Sequence, residues 1–328
     1  MRLFPAVRLW PLSIGFLVAL SIALSAFNLA PFPGRAWFQE LNSDLEAYYF
    51  LLHLLSIPLV LALWKDLGKH FSLVLLANLV ALSFFYATLL WPYYAPRREV
   101  PEDGAKFTVA FADLERLSEA PEKLAAVLSG KDAAIVGVTG VTPQNESSLQ
   151  KLSPLLHVVS SVPRDDEYGA ALLSEFPVVG DVRTSVADDL EDFPAVIKAT
   201  LERPSGKNLV VVVLKLPPPF SHAEELEAEL TLRRTSILLR HEKEDSIVLG
   251  NLNAAPTSSR YGKIEWMSIS RNAMRGFGYE PNCCSKSWWI ELPLSHILYH
   301  GWGLHVLNFE RLPSLGGEYS PILAQFTG

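Results

Sequence analysis

Cysteine is almost absent from the 328-residue sequence, and the two cysteines present, Cys283 and Cys284, are neighbours. Adjacent cysteines do not cross-link distant segments, and their spacing fits no zinc pattern. Neither a disulfide framework nor a zinc site is therefore expected. We expect the pair to be two small residues in a loop, with a vicinal disulfide or a redox role as the alternative.

Basic residues are in deficit, with 28 Lys and Arg against 35 Asp and Glu and a net charge of −7. Residues 1–94 carry five basic and four acidic residues, so the acidic excess lies in residues 95–328. Binding to nucleic-acid phosphates depends on Lys and Arg that displace counterions. Nucleic acid is therefore not expected as a partner.

Charge is also nearly absent from three stretches near the N-terminus. Leu9–Phe27 and Phe71–Tyr94 contain no acidic or basic residue, and Ala47–Trp64 contains one histidine, His53. Each stretch is close to the length of about 20 residues that a helix needs to cross a bilayer. Tryptophan or tyrosine ends the second and third stretches, as suits the headgroup region. The sequence predicts a three-span transmembrane region over residues 1–94, with the lipid bilayer as a partner.

The first stretch has a rival interpretation as a cleaved signal peptide. Ala23-Leu24-Ser25 offers the small residues that a cleavage site needs. The apolar run is longer than the usual core of a signal peptide, however, and two further apolar stretches follow it. Three spans is the preferred interpretation.

The distribution of basic residues favours a cytoplasmic N-terminus and a C-terminal domain on the far side of the membrane. Only Arg35 lies between the first and second spans, beside acidic residues, whereas Arg97 and Arg98 after the third span count the other way. The favoured orientation depends on the basic residues before the first span and between the second and third: Arg2, Arg8, Lys65 and Lys69.

Residues 95–104 read as a polar linker, and residues 105–328 as a folded domain. Helices are predicted at Glu119–Leu128 and His222–Arg240. Strands outnumber helices and the connections vary in length, which favours a mixed α/β sandwich over a regular doubly wound sheet. The predicted strands are Phe107–Ala112, Ala133–Val138, Ala170–Ser174, Leu209–Leu216, Ile247–Leu249, His296–Tyr299 and Ile322–Phe326.

Four short motifs follow one another in this domain: Gly169–Pro177 (GAALLSEFP), Leu249–Pro256 (LGNLNAAP), Ser295–Tyr299 (SHILY) and Gly316–Pro321 (GGEYSP). In this order they resemble motifs of the endonuclease/exonuclease/phosphatase superfamily, in particular of bacterial members with several N-terminal transmembrane helices. The resemblance implies a DNase I-like four-layer α/β sandwich of the α+β type, preceded by three transmembrane helices. It also implies a bacterial inner membrane, and the orientation favoured by the basic residues then puts the domain on the periplasmic side.

Active members of this superfamily hydrolyse phosphoric esters with Mg²⁺. Such chemistry needs oxygen ligands for the metal and groups that orient the attacking water. By resemblance, Asn253 and His296 match the family pattern. The departures are Asp113 for an asparagine, Gly140 for the metal-binding glutamate, Lys215 for a catalytic histidine, Asn251 and Ser295 for aspartates, and Glu318-Tyr319 for the terminal aspartate–histidine pair.

These departures remove a metal carboxylate, the general base and both catalytic histidines. We therefore expect a catalytically inactive relative that needs no cofactor, with vestigial site residues Asn253, His296, Asn251 and Glu318. Lys215 is expected to be a solvated strand end, with a phosphate-binding cation as the alternative. The leading hypothesis is a membrane-anchored binding or scaffold module for a protein or cell-envelope partner.

Two other functions remain open at this point. A working Mg²⁺-dependent hydrolase could use a rearranged site made of Lys215 and His296 with Asp113 and Glu318 as metal ligands. A transport or sensor role could centre on the three spans. The spans themselves contain no acidic or basic side chain besides His53, however, and intramembrane transport sites usually need such groups.

Overall fold

The computed structural model describes residues 9–29, 37–97, 104–184, 194–284 and 290–328. Arg2, Arg8, Arg35 and Arg98, on which the orientation argument partly depends, lie outside these ranges. The chain divides into two compact units, Met1–Pro92 and Tyr93–Gly328, and each unit is described by itself.

The first unit is helical, as the length and composition of its apolar stretches predict. Its helices are α1 (Leu9–Leu29), α2 (Trp37–Ser43), α3 (Glu46–Ala62), α4 (Trp64–Leu67) and α5 (Lys69–Tyr94). Helices α1 and α5 are each long and apolar enough to cross a membrane. Helices α2 and α3 pass the same test only as a pair, bent by 58°. Two helices, or three spans if the bent pair counts as one, are therefore long and apolar enough to cross a membrane, where the sequence predicts three.

The outer surface of the long helices of the first unit is largely apolar, and several of its polar side chains lie inside. Phe16, Leu55 and Phe84 have exposed fractions of 66%, 72% and 73%. Tyr86, in contrast, is buried and hydrogen-bonds the hydroxyl of Ser25. A largely apolar exterior, with a buried tyrosine paired inside the unit, suits a bilayer.

The second unit contains two β-sheets. The first has the strand order β10-β11-β1-β2-β4-β3, and the second has the order β5-β6-β7-β9-β8. Within them β1 runs parallel to β2, and β6 runs parallel to β7. The strands are β1 (Lys106–Asp113), β2 (Ala133–Thr139), β3 (His157–Val162), β4 (Ala170–Ser174), β5 (Val196–Glu202), β6 (Asn208–Lys215), β7 (Asp245–Asn251), β8 (Arg271–Asn272), β9 (Ser295–His300), β10 (His305–Arg311) and β11 (Ile322–Thr327).

The central strands are apolar on both faces, because each sheet is covered on both sides. Along β1, Val109 and Phe111 point into the core between the sheets, while Ala110 and Ala112 face the helical layer. Helix α6 (Ala120–Leu128) covers the first sheet, and α8 (His222–Arg240) and α9 (Ser259–Ser268) cover the second. Together with the short helix α7 (Glu146–Leu149), these elements form a four-layer α/β sandwich.

Candidate functional site

The carboxyl ends of the two parallel strand pairs meet at one edge of the sandwich. In the first sheet Asp113 ends β1 opposite Thr139, and in the second sheet Lys215 ends β6 opposite Asn251. The amide Nδ2 of Asn251 donates a hydrogen bond of 2.8 Å to Oδ2 of Asp113. This bond joins the two sheets where residues of the predicted site lie.

Lys215 is the cation of this site. Its side chain is 3% exposed, and its Nζ lies 3.0 Å from Oδ2 of Asp113 and 2.8 Å from Oε2 of Glu167. Burial alone disfavours the charged ammonium, but the negative charges of Asp113 and Glu167 outweigh burial and raise the pKa of Lys215. The expectation of a solvated strand end is therefore wrong, because the side chain turns inward to neutralise a buried carboxylate.

Asn251 and Asn253 act as hydrogen-bonding groups of a turn. Oδ1 of Asn251 accepts from the backbone N–H of Asn253 at 3.0 Å, and Nδ2 of Asn253 donates to the carbonyl oxygen of Leu216 at 2.7 Å. Oδ1 of Asn253 accepts from the hydroxyl of Tyr319 at 2.8 Å. Asn253 has a φ of 45°, a conformation that asparagine tolerates better than most residues.

A second carboxylate, Glu115, holds the motif that contains Glu318 and Tyr319. It accepts hydrogen bonds from the backbone N–H groups of Glu318 at 2.9 Å and Tyr319 at 2.7 Å. Burial raises the pKa of the Glu115 carboxyl, and these two hydrogen bonds act in the opposite direction. Sequence reasoning did not single out Glu115 or Glu167, since both lie in loops without a recognisable motif.

Gly140 stands where the resemblance places a metal-binding glutamate, and the space for such a side chain is closed. Its φ is +70°, in the left-handed region. A Cβ atom at Gly140 would lie 2.8 Å from the backbone nitrogen of Glu115 and 3.1 Å from that of Arg116. Because backbone atoms cannot move aside as side-chain ends do, no larger residue fits without moving the loop after β1.

His296 is buried in β9 and both ring nitrogens are engaged. Its Nε2 donates to the carbonyl oxygen of Ala254 at 2.8 Å, so Nδ1 is the unprotonated nitrogen that accepts from Nδ2 of Asn272 at 3.0 Å. The ring packs against Tyr261 with a centroid separation of 4.8 Å. Burial lowers the pKa of His296 to about 4, although the hydrogen bond to Ala254 favours the charged form. The residue is a neutral imidazole at neutral pH.

The donor set does not fit the Mg²⁺ ion that the resemblance implies. Within the described ranges, no three His, Cys, Asp or Glu side chains form a group that could hold a metal ion. Asp113, Glu318 and His296 are thus not assembled as the ligands of one metal. The ammonium of Lys215 already contacts Asp113 at 3.0 Å, and a second cation there would meet strong repulsion.

Cys283 and Cys284 are joined by a disulfide bond. The preferred expectation of two loop thiols is therefore wrong, and the alternative of a vicinal disulfide is correct. Cys284 has a φ of 74° and its N–H donates to the carbonyl oxygen of Glu318 at 2.9 Å. The disulfide thus lies next to the segment that Glu115 holds.

Comparisons with solved structures identify the fold. The chain is similar to mannosyl-6-phosphatase of Bacteroides thetaiotaomicron, with 14% identity, a TM-score of 0.52, and coverage of 68% of this chain and 100% of that one. It is similar to the human Nocturnin catalytic domain with bound sulfate, with 18% identity, a TM-score of 0.54, and coverage of 68% and 93%.

A third similar structure is D. rerio TDP2 complexed with single-strand DNA product, with 10% identity, a TM-score of 0.55, and coverage of 68% and 100%. These likenesses confirm the DNase I-like fold of the second unit. A search of curated sequences gave no match.

The model of the Endonuclease/Exonuclease/phosphatase family matches residues 109–318, which contain the first three motifs and the beginning of the fourth. Of the site residues described above, only Tyr319 lies outside the match. This match covers more than half of the chain. The resemblance drawn from the motifs is confirmed, and the protein belongs to the endonuclease/exonuclease/phosphatase family.

Proposed function

We propose that the protein is a membrane-anchored, non-hydrolytic member of this family, and that its domain serves as a binding or scaffold module. The observation that carries the proposal is the buried ion pair between Asp113 and Lys215. Active relatives need a divalent cation beside carboxylates at this edge of the sandwich. Here a covalently attached ammonium takes that place, and its charge is satisfied by Asp113 and Glu167.

Two further features support the absence of a metal cofactor. A glutamate at position 140 would collide with backbone atoms of the loop after β1. The carboxylate of Glu115, which lies in this loop, is already occupied as well, because it accepts hydrogen bonds from two backbone N–H groups. Mg²⁺ requires several oxygen ligands in near-octahedral geometry, and the residues present do not offer them.

The groups that would activate water are also committed elsewhere. Asn251 replaces an aspartate, and a neutral amide does not accept a proton at neutral pH. Its Oδ1 is held by the N–H of Asn253. His296 uses one nitrogen as a donor and the other as an acceptor within the protein, so neither is available for proton transfer. These residues maintain the local structure through their hydrogen bonds, but they do not activate water.

The partner class follows from the charge of the domain. The similar structures include a mannosyl-6-phosphatase and a TDP2 protein complexed with single-strand DNA. An anionic ligand of either kind would meet the acidic excess of residues 95–328. A protein or a cell-envelope component suits this surface better than nucleic acid does.

On this proposal the domain faces the periplasm. The count of basic residues around the apolar stretches favours this side, and the Cys283–Cys284 disulfide is of a kind found mainly in oxidising compartments. A membrane-impermeant thiol reagent applied to intact cells after mild reduction tests the orientation. Labelling of Cys284 in intact cells supports it, and labelling only after lysis contradicts it.

The test of the non-hydrolytic role is an assay of the purified full chain in detergent micelles. A phosphodiester and a phosphomonoester reporter are supplied with Mg²⁺, and Asn251→Ala serves as the matched variant. We expect no Mg²⁺-dependent turnover by either protein. Turnover that is lost in Asn251→Ala would establish the alternative, a hydrolase with a rearranged site.

The scaffold role needs a separate measurement. Affinity capture from solubilised membranes is done with the full chain and with a chain ending at residue 94. A partner retained only by the full chain supports the scaffold role. Equal retention by both chains would assign the interaction to the membrane helices instead.

A further inference from the structure

The disulfide-bearing segment 282–284 is clamped between two parts of the domain. On one side, the N–H of Cys284 donates to the carbonyl oxygen of Glu318 at 2.9 Å, and the N–H of Ser320 donates to that of Asn282 at 2.7 Å. On the other side, the N–H of Cys283 donates to the carbonyl oxygen of Leu292 at 2.9 Å. The segment therefore links the residues just before β9 to the motif at residues 316–321.

Asn282 makes the link to the chain entering β9 rigid. Its Nδ2 donates to the carbonyl oxygen of Ser295 at 2.8 Å, and its Oδ1 accepts from the N–H groups of Leu294 and Ser295 at 3.1 and 3.0 Å. Asn282 is 1% exposed. Because the link to β9 is buried and held by the three hydrogen bonds of Asn282, it resists movement. A change in the conformation of the cysteines therefore acts on the link between Cys284 and Glu318 instead.

Glu318 and Tyr319 connect the clamp to the buried ion pair. Their N–H groups donate to Glu115, and the hydroxyl of Tyr319 donates to Asn253. The Tyr319 ring lies with its centroid 5.9 Å from Nζ of Lys215. The segment from Glu318 to Tyr319 thus covers the ion pair, and it is held in part by the N–H of Cys284.

The backbone of Cys284 depends on its covalent partner. Its φ of 74° lies in the left-handed region, which residues other than glycine adopt at a cost. The ring formed by two adjacent bonded cysteines restricts this backbone. Once the sulfur–sulfur bond is broken, Cys284 is free to return to a negative φ, and its N–H then turns away from Glu318.

We propose that Cys283–Cys284 is a thiol–disulfide exchange site that controls how tightly residues 316–320 cover the buried ion pair. The reductant is a dithiol, either a small molecule or a protein. Its thiolate attacks Sγ of Cys284, because Cys284 is partly exposed whereas Cys283 is 2% exposed. The sulfur–sulfur bond breaks and Cys283 leaves as a thiolate. The second thiol of the reductant then releases Cys284 and closes its own disulfide, and the two cysteine thiolates take up two protons.

The test compares oxidised and reduced full-length protein in detergent micelles by amide hydrogen exchange. We expect thiol alkylation to label no cysteine before dithiothreitol treatment and two after it. We expect the peptide covering residues 314–321 to exchange roughly fivefold faster after reduction, the factor that one lost hydrogen bond implies. The amides of β6 should exchange equally in both states, which controls for unfolding.

Two double variants separate the disulfide from the backbone conformation it maintains. Cys283→Ser/Cys284→Ser should show fast exchange at residues 314–321 under both conditions. Cys283→Ser/Cys284→Gly should show slow exchange under both, because glycine adopts a positive φ without a disulfide. Equal exchange in oxidised and reduced native protein, or free thiols after treatment with an oxidised dithiol, would overturn the proposal. Neither result bears on whether the domain hydrolyses esters.

Discussion

The ammonium of Lys215 and the carboxylate of Asp113 form a direct ion pair of 3.0 Å in which both side chains are almost completely buried. Each residue ends a strand in a different sheet, so the pair connects the two halves of the sandwich. Charges are buried in proteins only when a partner compensates them. Removing one partner of the pair should therefore lower the stability of the fold far more than removing both.

The first prediction concerns this pair. Lys215→Met leaves the Asp113 carboxylate buried and uncompensated, and we expect the free energy of unfolding to fall by about 3–5 kcal/mol. The double variant Asp113→Asn/Lys215→Met should recover roughly 2 kcal/mol of that loss, because no net charge remains in the interior. Urea unfolding of the full chain in detergent micelles measures both values.

A surface pair supplies the control for this experiment. Lys263 lies 3.4 Å from Glu229 with both side chains well exposed, at 40% and 51%. Lys263→Met should change the unfolding free energy by less than about 1 kcal/mol, as expected of exposed ion pairs. If Lys215→Met lowered the free energy of unfolding as little as Lys263→Met does, Lys215 would not be needed to compensate the buried charge of Asp113.

The second prediction concerns the closed space at Gly140. Gly140→Ala places a methyl group 2.8 Å from the backbone nitrogen of Glu115 and imposes a side chain on a φ of +70°. We expect a loss of stability of about 1–3 kcal/mol. Gly262→Ala is the control, because nothing lies within 4 Å of the added carbon in helix α9, and it should stabilise by about 0.5–1 kcal/mol. Similar effects of the two substitutions would contradict the steric argument.

The third prediction is a pH dependence due to His296. Its folded-state pKa of about 4 lies below the ordinary value of 6.5, so between these values the unfolded chain binds a proton that the native chain does not. Stability should therefore fall as the pH falls from 6.5 to 4, by about 3 kcal/mol in total. His296→Asn should abolish this contribution. A profile unchanged by His296→Asn would show that the ring is not buried as a neutral group.

Much of the fold could be predicted because its signals are local. All seven predicted strands and both predicted helices of the domain are present, since apolar runs and an amphipathic pattern mark them. Strands β3, β5, β8 and β10 were not among the predicted strands, and β3 lacks a continuous apolar run because its residues are partly or fully exposed. Helix α9 was missed because its pattern is short, although Ser258 caps its N-terminus.

The candidate site was predictable only in part. Asn251 and Asn253 follow an apolar run, so their place at a strand end could be predicted from the sequence. The partners of Lys215 could not, because Asp113 and Glu167 lie 102 and 48 residues away and their meeting depends on how the sheets pack. The sequence offered the disulfide only as the alternative, because adjacency alone does not show whether two cysteines are bonded.

The central claim is that Lys215 occupies the place of a divalent cation beside Asp113. Calorimetric titration of Mn²⁺ and of Mg²⁺ into the full chain, with Asp113→Asn as the matched variant, tests it most directly. We predict no saturable binding that distinguishes the two proteins. Saturable binding by the native protein that disappears in Asp113→Asn would contradict the claim.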